Sequence, residues 1–171
     1  MRNLRNVPRR GSHLPVLMKL FPMTTGPILE LGYGVYSTIY LHWACYVTKR
    51  RLVTYEDNPD FYRFANQFRS DYHEVHCISD WDSIDISEPW SIAFVDHGAK
   101  APNGRTFRRY IEISRLTHAQ YVVAHDAENS SARNYKYHRV YPLFKYRYKY
   151  GGASPHTVVL SNTHDLSEFT V

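Results

Sequence analysis

Carboxylates and histidines recur in this chain at the points where apolar runs stop. Glu30 lies in the run Pro27 to Leu31, and Gly32, Tyr33 and Gly34 follow it before Ser37 and Thr38 open a helical pattern (ILELGYGVYST). Glu56 and Asp57 close the run Leu52 to Tyr55, and Asp80-Trp81 follows Val75 to Ile78. Asp96 and His97 close Ile92 to Val95, with Lys100 just beyond; His125 and Asp126 close Tyr121 to Ala124, with Glu128 two residues on. A carboxylate at a strand end can accept both hydroxyls of a ribose. Several together can ligate a hard cation such as Mg²⁺, which wants oxygen donors in octahedral geometry. A histidine there can act as a base near neutral pH. Gly32 and Gly34 let the backbone approach a ligand closely, and their amides lead into a helix N-terminus. The bland alternatives are a tight strand-to-helix turn at the glycines and histidines that only hydrogen-bond strand ends.

The elements that must hold these groups alternate. Pro27 to Leu31, Leu52 to Tyr55, Val75 to Ile78, Ile92 to Val95 and Tyr121 to Ala124 read as short buried strands. Between them, helical spacing appears over Tyr36 to Val47, from Asn58-Pro59 down to about Arg69 (Phe61, Phe64, Ala65, Phe68), and over Arg105 to Leu116 with Phe107, Ile111 and Leu116 inward. Asn58 as N-cap with Pro59 at the first helical position is a good helix start. Apolar strands separated by helices predict a parallel sheet covered on both faces. After a polar, helical stretch from Glu128 to Arg139, Leu143 to Tyr150 alternates strictly. Lys145, Arg147 and Lys149 fall on one side, with Tyr146, Tyr148 and Tyr150 on the other. Gly151-Gly152 turns the chain into the strand His156 to Leu160. Two strands joined this way pair antiparallel, and a lysine-bearing strand suits a sheet edge. The expected fold is therefore α/β, a Rossmann-like parallel sheet ending in an antiparallel hairpin.

With 171 residues the chain reads as a single domain, 1–171, with a basic arm and short helix over 1–25 and a core over 26–171. The net charge of +5 favours anionic partners only weakly. Cys45 and Cys77 lack metal-ligand spacing and read as reduced core residues of a cytoplasmic protein. No segment reads as a membrane span, because Leu14 to Met23 is short and broken by Pro15, Lys19 and Pro22. Arg2, Arg5, Arg9 and Arg10 precede it, and no small-residue cleavage site follows.

In an open α/β sheet the ligand lies beyond the carboxyl ends of the strands where the order reverses, so these acids and glycines point to a nucleotide-like ligand. A dinucleotide enzyme wants G-x-G-x-x-G, whereas Ser37 stands at the third glycine, and there is no room for a dehydrogenase's substrate domain. The C-terminal hairpin resembles class I S-adenosylmethionine-dependent methyltransferases instead. The segments ILELGYGVYST, VTYEDNPDFY and IAFVDHGAK resemble successive signatures of the catechol O-methyltransferase family, over roughly Pro27 to Glu128.

That resemblance implies that Glu30 and the Gly32 to Thr38 loop, with Tyr33, Gly34 and Ser37, hold the methionine end of S-adenosylmethionine. It places Glu56 at the ribose, with Asp57 beside it as a cofactor-binding candidate; apart from the resemblance, Asp80 after the third strand could meet the ligand's amine through the Asp80-Trp81 turn. The resemblance makes Asp96 a Mg²⁺ ligand and Lys100 a general base. The family's Asp-Asn pair after the fifth strand is Asp126-Ala127 here, so Asp96, Asp126 and Glu128 are the candidate metal set. His97 and His125 are candidate bases for a metal-free reaction. The expected reaction is O-methylation of a small hydroxylated, catechol-like acceptor. Arg133 to Tyr150 keeps an RNA substrate open as a second reading, and a non-catalytic cofactor-binding module is a third. The acceptor site is expected to be shallow, bordered by the Gly98 to Gly104 loop and the segment after Asp126. A homodimer could cover it through the apolar face of Leu14 to Phe21.

Overall fold

The computed structural model describes residues 11–102, 104 and 106–171. The arginines of the N-terminal arm and Arg105, at the expected start of the fourth helix, lie outside these residues. Seven strands form one sheet among the described residues: β1 Ile28–Leu31, β2 Leu52–Glu56, β3 His73–Cys77, β4 Ile92–Val95, β5 Tyr121–Ala124, β6 Tyr146–Tyr150 and β7 Thr157–Ser161. Their order is β3-β2-β1-β4-β5-β7-β6. The first five pair in parallel, while β7 runs antiparallel to both β5 and β6. The expected parallel sheet with a closing antiparallel hairpin is what forms.

Physical chemistry accounts for that order. β1, β4, β5 and β7 are buried along their whole length, as central strands covered on both faces must be. β6 alternates exposed Arg147 and Lys149 with half-buried tyrosines, and it takes the edge. One face of the sheet packs Leu29, Leu31, Trp90 and Val122 against Ile113 and Leu116. The other packs Ile28, Phe94 and Val159 against Val16, Leu17, Leu41 and Phe169. The chain reverses between β1 and β4, and a crevice opens there beyond their carboxyl ends.

The helices are α1 Leu14–Leu20, α2 Ser37–Thr48, α3 Pro59–Ala65, α4 Arg109–Arg115 and α5 Asn129–Asn134. Asn58 caps α3 as expected, its side chain accepting from the amides of Asp60 and Phe61. Several expectations fail for identifiable reasons. Phe61 and Phe64 are exposed, and only Ala65 of that face is buried, because the two rings gather with Tyr33 beside the crevice. The inward face of α4 carries Arg109, Glu112 and Ile113, because Arg109 meets Asp96 and Asp126 there and Glu112 meets Arg108 and His97, while Leu116 is buried as expected. Cys77 is exposed rather than in the core. Val16, Leu17, Leu20 and Phe21 are buried against the chain's own sheet, so the apolar face expected to meet a partner subunit is already used. No helix among the described residues is long and apolar enough to cross a membrane.

Candidate functional site

At the end of β1, Gly32 has a left-handed φ of +95°, and an added Cβ would lie 2.5 Å from the backbone nitrogen of His97. The glycine lets the β1 and β4 loops touch, and this packing, rather than approach to a ligand, requires it. A Cβ at Gly34 would meet Ser37 Oγ at 2.5 Å, so a larger residue there would turn the serine hydroxyl aside. Glu30 lies beneath this loop, wholly buried. Thr38 Oγ1 accepts from the Gly34 amide and donates to Glu30 Oε2, and Thr54 Oγ1 donates to the same oxygen. Burial raises the Glu30 carboxyl to about 7, against the lowering effect of the neighbouring hydroxyls. Glu30, Ser37 and Thr38 are therefore brought together, but as a brace under the loop and not as its exposed wall.

Glu56 ends β2 with 3% exposure. Its two oxygens accept from the amides of Tyr33 and Asn58, each at 2.7 Å. Burial raises its carboxyl, partly offset by those amides. A cavity of about 430 Å³ opens beside it, lined by Gly32, Tyr33, Glu56, Asp57, Asn58, Pro59, Phe61, Asp96, His97 and Gly98. Its size suits a nucleoside, and the second lone pairs of Glu56 can face ribose hydroxyls. Asp80 and Trp81 do not line it. Asp80 is exposed and accepts from the Asp82 amide, while Trp81 is buried and stacks on His97 with ring centres 4.2 Å apart.

A second cavity of about 250 Å³ shares Asp96 with the first as a lining residue and is otherwise lined by Gly11, His13, Gly34, Val35, Tyr36 and His125. Its walls come from the residues just before α1 and from the loop into α2, whereas Gly98 of the Gly98 to Gly104 loop lines the first cavity. Asp96 Oδ1 pairs with His125 Nδ1 at 3.2 Å and with Arg109 Nη2 at 2.9 Å. Burial alone would raise the Asp96 carboxyl, but Arg109 and His125 hold it below its ordinary value. Burial would lower His125, yet Asp96 outweighs it and the imidazole titrates above its ordinary value. Ser12 Oγ donates to the Pro155 carbonyl at 2.6 Å and so accepts from His125 Nε2 at 2.9 Å. His13 is pushed down to about 4 by burial and by the His125 charge, so it is neutral.

Arg109 had no place in the expected site, and it rearranges that site. Only 3% exposed, its guanidinium donates to the carbonyls of Asp96, His97 and His125, pairs with Asp96 and Asp126, and lies 3.9 Å over the Tyr135 ring. Asp126, at φ +57°, turns its carboxylate onto that cation. Glu128 is directed away, accepting from Ser154 Oγ and the His156 amide. Of the expected Mg²⁺ set, Asp96 and Asp126 are therefore brought together around a fixed positive charge, and Glu128 is not among them. The set does not fit an octahedral cation. His97 is also unsuited to proton transfer. Its side chain has no exposure, Nδ1 accepts from the Ala99 amide, and Nε2 lies 3.1 Å from Glu112. Lys100 lines neither cavity and sits 3.3 Å over Phe107.

Solved structures place this arrangement. Cofactor-bound Rv0187 from MTB superposes with a TM-score of 0.60 at 16% identity, over 94% of this chain and 84% of that one. Human methyltransferase-like protein 13, in complex with S-adenosylhomocysteine, gives 0.58 at 15% identity over 89% and 77%. The RNA methyltransferase from Salinibacter ruber, also with S-adenosylhomocysteine, gives 0.53 at 20% identity over 91% and 92%. The chain has the class I methyltransferase fold. No family model matches it, and no curated protein does. In a methyltransferase fold the crevice between β1 and β4 is the switch point, and here that crevice holds Glu56, Asp96 and both cavities. Sequence reasoning missed Ser12, His13 and Arg109; a signal for the buried face of α4 was available in the Arg108-to-Glu112 spacing, which forms an ion pair inside.

Proposed function

We propose that the chain is an S-adenosylmethionine-dependent methyltransferase acting on a small hydroxylated, catechol-like acceptor. The observation that carries this reading is the pair of cavities that share Asp96 in their walls, one nucleoside-sized and bordered by Glu56, the other small and bordered by His13 and His125. The cofactor supplies a methyl group already activated on a sulfonium. What remains for the protein is alignment and a place for the acceptor's proton.

Glu56 is oriented by the Tyr33 and Asn58 amides before any ligand arrives, so holding a ribose costs it little reorganisation. An acceptor hydroxyl entering the small cavity meets the Asp96 carboxylate and the neutral His13 imidazole, neither of whose nitrogens has a partner. As the new C–O bond forms, the hydroxyl becomes an oxonium of far lower pKa, so a weak base suffices to take its proton. No step requires Mg²⁺. The tyrosines of β6 pack on the sheet, with Tyr148 edge-on to Phe169, which leaves few rings for stacking on the bases of an RNA.

Calorimetry with S-adenosylhomocysteine tests the cofactor half: wild type should bind, and Glu56→Ala should lose about 1.5–3 kcal/mol. Labelled methyl transfer to a panel of catechols, phenols and RNA oligonucleotides, without added Mg²⁺, tests the rest. Binding with no transfer to any of them would make the chain a cofactor-binding module, and transfer to RNA alone would replace the small acceptor.

A further inference from the structure

We propose that His13, Asp96 and His125 form a binding site for one divalent transition-metal ion of the zinc type, a donor set that shares only Asp96 with the expected Mg²⁺ carboxylates Asp96, Asp126 and Glu128. One ligand atom from each residue lies within 4.8 Å of the others. His13 is 4% exposed, and neither of its ring nitrogens has a hydrogen-bond partner. Buried polar groups are normally bonded, and this ring instead lines the 250 Å³ cavity together with Asp96 and His125.

The orientation of His125 is that of a ligand held from behind. Because the Ser12 hydroxyl donates to the Pro155 carbonyl, it must accept from Nε2–H, which leaves Nδ1 directed at Asp96 Oδ1 across 3.2 Å. An ion about 2.05 Å from both atoms would see them at roughly 100°, near the tetrahedral angle. It would replace the proton now between them, while Ser12 and Pro155 hold the ring from its far side, as outer partners of metal-bound histidines do. The widest ligand separation, up to 4.8 Å, exceeds the roughly 3.4 Å edge of a tetrahedral site, so the His13 ring closes on the ion by about 1 Å. Two imidazoles and one carboxylate select zinc-like ions over Mg²⁺. The Arg109 charge beside Asp96 is offset by Asp126 on its other flank. Three protein ligands leave a fourth position open, facing the cavity.

The site shares His13, Asp96 and His125 with the proposed acceptor cavity, but its test reads the metal directly and does not depend on methyl transfer. Co²⁺ would be titrated into the Cys77→Ser protein, which removes the exposed thiol as a competing ligand. Visible d–d absorption should saturate at one equivalent, resist excess Mg²⁺ and be displaced by Zn²⁺. His13→Gln should weaken the affinity by at least about 100-fold, and Ser12→Ala, which keeps all three ligands, by about 10-fold. Circular dichroism checks that each variant is folded, and S-adenosylhomocysteine binding in the same samples keeps this result separate from the functional reading. No saturable band, or an undiminished one in folded His13→Gln, would overturn the site.

Discussion

Replacing Arg109 with methionine removes the cation that stands between Asp96 and Asp126 while filling much of the same space. The structure sets the scale of the loss. A side chain only 3% exposed gives up ion pairs of 2.9 and 3.1 Å to two carboxylates and its donations to three backbone carbonyls. Breaking a buried pair by removing one partner costs about 3–5 kcal/mol. The Asp96 and Asp126 side chains keep 18% and 23% exposure, so water relieves part of the penalty. That favours the lower end, about 3 kcal/mol. For a domain of this size the melting temperature should fall by roughly 6–12 °C. Urea unfolding followed by circular dichroism measures the loss, with exposed Arg147→Met as the control that should stay within about 0.5 kcal/mol. The pH dependence has a definite sign. Asp96 is held below its ordinary 3.8, so its contribution is present above that pH and lost as the pH falls through its lower folded value. The gap between wild type and Arg109→Met should therefore narrow in acid. A loss no larger than that of Arg147→Met would refute the view that this guanidinium neutralises the strand-end acids.

Glu30→Gln should change the pH profile of stability. The Glu30 carboxyl is raised from 4.5 to about 7 by burial, so its contribution is full below pH 4.5 and shrinks by about 3 kcal/mol as the pH rises through 7. The wild-type-minus-variant difference in urea unfolding at pH 4.5, 5.5 and 7 should follow that fall, and a flat difference counts against it. Gly32→Ala should cost more than about 2 kcal/mol, from a left-handed φ and a backbone clash. Gly98→Ala, with nothing within 4 Å of the new Cβ, should unfold like wild type, and equal melting temperatures for the two would refute the packing argument. In metal-free buffer, catechol and phenol should be methylated with kcat/KM values within about tenfold of each other, because a fixed guanidinium cannot chelate vicinal hydroxyls. A catechol preference above about 100-fold would show that chelation operates after all.

The sheet was legible because its strands are short, apolar and separated by helical spacing. β4 and β5 end where the hydrophobic runs end, and Asn58-Pro59 starts α3 through local chemistry that needs no tertiary context. The orientation of α4 was not legible. Periodicity assigns its inward face by apolar residues; Leu116 is buried as that rule expects, but Phe107 and Ile111 are only half-buried, and Arg108, Arg109 and Glu112 are buried with Ile113. Charges enter a core only when their partners are already there. Those partners, Asp96, Asp126 and His97, come from two other strand ends, which no local window contains. His13 was hidden for the same reason, since it reaches Asp96 and His125 from a segment that reads as an arm.

The strand-end acids show how far a motif can be carried by residue type alone. Asp96 and Asp126 stand where the catechol-type resemblance places metal ligands, and two such carboxylates side by side do require a cation. In this chain α4 delivers that cation covalently, as Arg109. A guanidinium fixed by two carboxylates and three carbonyls neutralises charge as an ion would, but it cannot exchange ligands, and its donors are already committed. In the proposed reaction, binding and orienting the acceptor then fall to groups that still have capacity. The structure leaves that capacity at the other end of Asp96, where His125 is aimed by Ser12 and His13 has two nitrogens without partners. In the proposed reaction the acceptor therefore meets the side of Asp96 that faces His13 and His125, against the loop that Gly32, Thr38 and Glu30 hold in place.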